Sequence, residues 1–240
     1  KIKNYIIPPS VPATDKVYRF SKRYLSSNNS ILDIGCGYGR DLMTFKNYGH
    51  SVYGIELSPH RKEYCENKGI TTVIGGIENL SKQTFNKKFD LVYSNHVLEH
   101  VLDLNTYFTN VDKVLNDDGL IYIAVPNQDT SYIMINFLFG LHVHNFTFLS
   151  LSYLLSQHGY KILDLQLDDW EIKIIGTKNK LKTDKQDLFN HISQYSIKNN
   201  EDIYSFFVNR CIEDASVDNG TSNVIWTKPK NTGYRFSFLK

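Results

Sequence analysis

Cysteine is scarce. Cys36, Cys65 and Cys211 form an odd, scattered set without metal-ligand spacing, which excludes a thiolate metal site and fits a reduced, cytoplasmic compartment. Long apolar runs are missing too. The most apolar stretch, residues 132–155, is interrupted by Asn136, His142, His144 and Asn145, so no membrane span is expected and the stretch reads as buried or pocket-lining. Neither sign of charge is in excess: a net +2 gives no large field, so no nucleic-acid partner is implied. The local run Lys178, Lys180, Lys182 and Lys185 reads as a solvated connection. Repeats and low-complexity segments are absent, and the start has no charged, apolar, small-residue export pattern. A chain that opens on Lys1 without Met is read as trimmed or incomplete. What is present is globular: 240 residues with 41% hydrophobic and 13% aromatic content suffice for a sizeable core in one domain with additions.

Residues 31–40 read Ile-Leu-Asp-Ile-Gly-Cys-Gly-Tyr-Gly-Arg, a strand running into a Gly-rich turn and a helix start. Glycines suit a backbone that must turn sharply and admit a ligand, and the amides of the helix start would face that ligand. The dinucleotide fingerprint needs a small residue three places after Gly37, and Arg40 stands there, so a nicotinamide cofactor is disfavoured. A carboxylate two residues before the first glycine, Asp33-x-Gly35-x-Gly37-x-Gly39, suits a ligand that carries positive charge. This spelling resembles motif I of the class I S-adenosylmethionine-dependent methyltransferases.

The rest of the chain supplies further parts. A Pro-rich arm (Pro8, Pro9, Pro12) precedes a helix capped by Thr14 or Asp15, with an aromatic face of Tyr18, Phe20 and Tyr24 that serves as a lid or as core. The pattern gives a helix over 41–48 and a strand over 51–55 that ends at Glu56. That acidic residue lies 21 places after Gly35, where its side chain can accept from both ribose hydroxyls. Ser58-Pro59 starts a helix that Gly69 closes, and a strand follows over 71–74. The segment Gly75-Gly76-Ile77-Glu78-Asn79-Leu80 comes next; in the resembling family Gly76 is commonly an Asp that accepts from adenine, which leaves Ile77 as the adenine contact here. A strand over 89–93 leads to Ser94-Asn95-His96-Val97-Leu98-Glu99-His100, similar to the family's LEH segment, where methyl group and acceptor meet. A helix over 103–115, a turn at 116–119 and a strand over 120–125 complete five alternating units. Helix 147–158 and strands over 160–167 and 172–177 follow.

The expected fold is α/β: a doubly wound, Rossmann-like, seven-stranded and mostly parallel sheet, with an N-terminal helical arm and a C-terminal extension. Residues 1–29 are the arm, 30–177 the methyltransferase domain, and 178–240 a cap over the acceptor pocket or a homodimer contact. Within 178–240 the pattern gives helices over 185–195 and 202–212, a turn at 218–220 and an apolar run over 224–226. The resemblance implies S-adenosylmethionine as cofactor, leaving as S-adenosylhomocysteine, among Asp33, Gly35, Gly37, Gly39, Glu56, Leu57, Ile77, Glu78, Asn95 and His96. An oxygen acceptor benefits from a general base, and the candidates are the neutral imidazoles of His144, His96 and His142, with His144 favoured because it lies where the chain returns across the strand ends. Asp168-Asp169 reads as a solvated turn, and no metal is expected. The run from His142 to Tyr160 is similar to bacterial methyltransferases that accompany glycan and surface-polysaccharide biosynthesis, which implies a sugar or glycan precursor as the small-molecule acceptor. Methylation of RNA or protein, and a cofactor-binding subunit without turnover, stay open as alternatives.

Overall fold

The computed structural model describes residues 12–80, 82–127, 142–167, 170–178, 223–227 and 235–239. The arm over 1–11, the pair Asp168-Asp169, and the predicted helices and turn of the C-terminal extension lie outside these residues. The strands β1 (Ser30–Ile34), β2 (Ser51–Glu56), β3 (Thr71–Ile74), β4 (Phe89–Asn95), β5 (Leu115–Pro126), β6 (Tyr160–Leu167) and β7 (Glu171–Lys178) form one sheet in the order β3-β2-β1-β4-β5-β7-β6. The pairs from β3 through β5 are parallel, whereas β7 runs antiparallel to both β5 and β6. A separate hairpin pairs β8 (Asn223–Thr227) with β9 (Arg235–Leu239), and β8 contains the predicted apolar run.

Helices cover both faces, as a parallel sheet requires. On one face α1 (Lys16–Ser21), α2 (Arg40–Asn47) and α3 (Pro59–Asn67) cover Ile31, Leu91 and Tyr93 of the sheet, with Leu42 and Phe45 of α2 in the same core. A four-residue helix α4 (Lys82–Phe85) precedes β4. On the other face α5 (Leu104–Val114) and α6 (Phe148–Gln157) close over Leu32, Ile34 and Val92, contributing Phe108 and Leu155 to that core. Every residue of β1 is buried, with Leu32 and Ile34 on one side and Ile31 on the other. Burial on that scale is worth about 1.5–3 kcal/mol per large apolar side chain, and it fixes the strand that carries the Gly-rich turn.

Three local expectations need correction. Asp15 precedes α1 without a side-chain cap: its carboxylate instead accepts from Arg19 Nε at 2.6 Å, and the Thr14 hydroxyl donates to Asp41. The turn at 116–119 sits inside β5, which starts at Leu115 opposite Phe89 and resumes with Leu120 opposite Leu91. β4 continues two residues beyond its predicted end to Asn95, so His96 is the first residue past the strand. Val17 of α1 is fully buried and Tyr18 stacks on Tyr48 at 4.1 Å, which makes the leading helix part of the core on the α2 face.

Among the described residues no helix is long and apolar enough to cross a membrane.

Candidate active site

The C-terminal ends of β1, β2 and β4 bring the predicted residues to one edge of the sheet. Gly35, Gly37 and Gly39 have φ of 75°, 56° and 65°, all in the left-handed region that penalises side chains. A Cβ on Gly35 would lie 2.7 Å from Val97 Cγ2, and one on Gly39 would lie 2.6 Å from Ile70 Cδ1. Those two glycines are demanded by neighbouring side chains. Gly37 differs, because a Cβ there would meet nothing within 4 Å. There the left-handed backbone, not a neighbouring side chain, favours glycine, and the space beside it is open. Gly39 precedes α2, whose first residue Arg40 donates through Nε to the Pro12 carbonyl at 2.9 Å.

Glu56 ties this turn to β2. Its Oε2 accepts from the Gly37 amide at 2.9 Å, its Oε1 accepts from the Ser58 amide at 2.9 Å, and Arg61 Nη1 stands 3.6 Å from Oε1. A carboxylate offers about four lone-pair sites, of which the two amides occupy two. Leu57 follows with its side chain exposed.

Asp33 is buried against Tyr93, its partner on β4. Burial pushes its carboxyl well above the ordinary range, more than Tyr93 pulls it down, and Asp41 adds to the rise. The carboxyl of Asp33 is thus buried in the sheet and disfavoured as a charge, while the Glu56 carboxylate lies beside the turn. Across the cleft, Ile77–Asn79 form a short 3-10 turn, its Ile77 carbonyl accepting from Asn110 Nδ2 at 2.8 Å and the Gly76 amide donating to Asn79 Oδ1 at 3.0 Å. The Glu78 carboxylate folds back beside Gly76, where an added Cβ would be 2.5 Å from its Oε1.

Beyond β4, Asn95 Oδ1 is buried without a hydrogen-bond partner. His96 has a left-handed backbone, with φ of 55°, and donates its amide to the Ala124 carbonyl at 2.9 Å. Its Nε2 meets Glu171 Oε2 at 3.3 Å and its Nδ1 meets Glu99 Oε1 at 3.4 Å. Glu171 first and Glu99 second raise the ring to about 9. This pairing favours the charged imidazole of His96 over the neutral form that a general base needs. The same pairing pulls Glu171 down to about 2, with His96 the largest cause.

A raised imidazole stabilises the fold fully below its unfolded value, and that stability is lost as pH rises through the folded value. Thermal unfolding from pH 6.5 to 9.5 is therefore expected to show a loss attributable to His96. Because its ring is 44% exposed, screening limits this to about 1 kcal/mol. Glu171→Gln should flatten the slope, and an unchanged slope would contradict the pairing.

The chain returns to this edge through an isolated bridge between Asn127 and Phe146. The amides of Val143 and His144 both donate to the Glu99 carbonyl, at 2.8 and 3.0 Å. His142 and His144 therefore stand beside the loop after β4, as the expected return across the strand ends requires. Their ring nitrogens His142 Nδ1 and His144 Nε2 are buried and without hydrogen-bond partners, and burial lowers the His142 imidazole. Ligand-type atoms of Glu99, His100 and His142 lie within 4.8 Å of one another, where a metal ion would find donors. In this structure Glu99 Oε1 faces His96 Nδ1, with His100 Nε2 at 3.9 Å.

Two members of the site escaped the sequence reading. Glu99 stood in plain view inside the LEH segment, and Glu171 follows directly on Asp168-Asp169-Trp170. A further open groove, of about 500 Å³ and lined by Ala13, Thr14, Asp15, Thr44, Asn47 and Tyr48, contains none of the site residues.

With this geometry in hand, the comparisons are specific. Residues 11–170 match a family model described as a methyltransferase domain. The ubiquinone biosynthesis O-methyltransferase of Pelagibacter ubique is 29% identical over 177 residues, covering 68% of this chain and 65% of the relative. Its mitochondrial counterpart in Bos taurus is 32% identical over 111 residues, covering 42% and 30%. The chain thus spans less than two thirds of the length of these relatives. Among solved structures, the 1,6-didemethyltoxoflavin-N1-methyltransferase of Burkholderia thailandensis, with S-adenosylhomocysteine bound, superposes with a TM-score of 0.56 at 22% identity, covering 68% of this chain and 76% of that one. This likeness shows the fold.

Proposed function

The chain belongs to the methyltransferase-domain family, and from that premise we propose that it binds S-adenosylmethionine and transfers the methyl group to a hydroxyl of a small molecule. The observation that carries the cofactor part is the open space beside Gly37, flanked by a Glu56 carboxylate with acceptor sites to spare. When bound, the cofactor supplies a methyl group already activated by a sulfonium charge.

The chain's own residues then have three tasks. The Gly-rich turn leaves room for the ligand, and Glu56 accepts from its ribose hydroxyls. The turn at Ile77 borders the adenine, with Leu57 and Glu78 alongside. Asn95 presents an unpaired buried acceptor at the end of β4, where alignment of nucleophile and methyl group contributes most. For the proton of the acceptor hydroxyl, His144 offers an unpartnered ring nitrogen, and His142 a second one on a ring whose pKa burial lowers.

His144→Ala is expected to lower turnover by about 100-fold or more, with the affinity for S-adenosylhomocysteine intact. Normal turnover would return His144 to a structural role.

The O-methyltransferase relatives support an oxygen acceptor, and the resemblance over 142–160 favours a sugar or glycan precursor. Transfer of a labelled methyl group to separated small-molecule, glycan, lipid, RNA and protein fractions tests this. Label in sugars or glycan precursors supports the full proposal. Label in another small hydroxyl compound keeps the reaction and removes the sugar, and label only in RNA or protein overturns the substrate class.

A further inference from the structure

Arg61 lies in the first turn of α3 and reaches two parts of the cleft at once. Its Nη1 is 3.6 Å from Glu56 Oε1 at the end of β2, and its guanidinium stands over the Tyr38 ring, 5.6 Å from the centroid. Tyr38 is the residue between Gly37 and Gly39 in the Gly-rich turn. Its ring meets Tyr64, a buried residue of α3, edge-on at 5.2 Å. The aromatic pair gives the guanidinium a seat, which offsets part of the rotamer freedom that a long side chain loses on being held.

The seat matters because of the charge beside it. The Glu56 side chain is only 6% exposed, and each of its carboxylate oxygens accepts from one backbone amide. Those neutral amides fix its orientation without balancing its charge. On the sheet side the nearest acid is Asp33, whose carboxyl Glu56 helps to push up, so no balance comes from there. Among the described residues the ion pair of Glu56 is with Arg61. A ligand lying on the carboxylate would displace water from it, and charge interactions strengthen as water leaves. Arg61 remains half in solvent and can supply that balance without being buried itself.

We propose that Arg61 is a positioning residue for the cofactor: seated on Tyr38, it balances the Glu56 carboxylate as the ribose covers it, and so sets the preference for a ligand with ribose hydroxyls. The proposal rests on the reading of Glu56 as the ribose acceptor. Arg61 acts through Glu56 and touches no reacting atom.

Calorimetry on the full chain, with S-adenosylhomocysteine and with its analogue lacking both ribose hydroxyls, tests this. The wild type is expected to prefer the compound that carries the hydroxyls. Arg61→Gln should weaken S-adenosylhomocysteine about 3- to 10-fold, the upper end reflecting the water that the ligand excludes. The analogue leaves room for water on the carboxylate, so its affinity should change by less than about 2-fold. Arg61→Lys, which keeps the charge, should recover part of the loss. Both variants should stay folded, because the side chain is half exposed, and thermal unfolding checks this. A loss equal for the two compounds would make Arg61 a support of the turn alone and overturn the proposal. Unchanged affinity for S-adenosylhomocysteine in Arg61→Gln, or no recovery in Arg61→Lys, would overturn it as well. Each of these results leaves the ribose reading standing while the wild type discriminates. Equal binding of both compounds by the wild type would sink that reading itself, and the proposal with it.

Discussion

Gly37→Val is expected to abolish binding of S-adenosylmethionine and S-adenosylhomocysteine while the protein stays folded. At φ of 56° a β-branched residue is strained, at a cost of about 1–2 kcal/mol, small against the roughly 5–15 kcal/mol that holds a domain together. Beyond the adjoining residues no protein atom lies within 4 Å of the new Cβ, so the added methyl groups would occupy the space proposed for the ligand. Calorimetry should show affinity reduced by about 100-fold or more, equivalent to ~2.7 kcal/mol. Binding at wild-type strength would mean that the turn is not the cofactor cradle. Substitutions at Gly35 and Gly39 are poorer tests, because there the side chain collides with Val97 or Ile70 and the turn itself must move.

Glu56→Ala is the second large effect, and the structure gives it two components. The carboxylate is buried and holds the amides of Gly37 and Ser58, so its removal leaves two backbone donors without their acceptor and frees the turn. It also removes the charged acceptors proposed for the ribose. Loss of charge-assisted hydrogen bonds is worth about 1.5–3 kcal/mol, which predicts cofactor affinity lower by about 10- to 150-fold and a lower unfolding temperature. Unchanged affinity, measured by calorimetry at a temperature where the variant is folded, would contradict the ribose role.

The parts legible in the sequence are those set by local chemistry. Residues 31–40 announce a strand, a turn and a helix because apolar residues stop at glycines that only a left-handed backbone explains. Glu56 is recognisable from its distance beyond Gly35, and Asp103 caps α5 by accepting from the amides of Asn105 and Thr106, as a helix start should. What was not legible depends on partners distant in the chain. Asp33 reads as a ready charge, yet burial in the sheet and the nearby Asp41 of α2 push its carboxyl up. His96 reads as a neutral base because nothing nearby in sequence shows that β7 will run backwards and deliver Glu171. The direction of β7 is itself hidden: a run buried along most of its length, such as residues 171–176, has the same pattern in either orientation. At Asp15 the competition is between a cap and an ion pair four residues along, and Arg19 takes the carboxylate.

Hydrogen–deuterium exchange with and without saturating S-adenosylhomocysteine tests the central claim most directly, because it maps where the cofactor acts without requiring the acceptor. The account predicts slowed exchange concentrated in residues 34–40, 56–58, 76–79 and 95–98, the segments that border the cleft at the strand ends. Protection confined to the groove lined by Ala13, Thr14, Asp15, Thr44, Asn47 and Tyr48, or no protection at all, would contradict it.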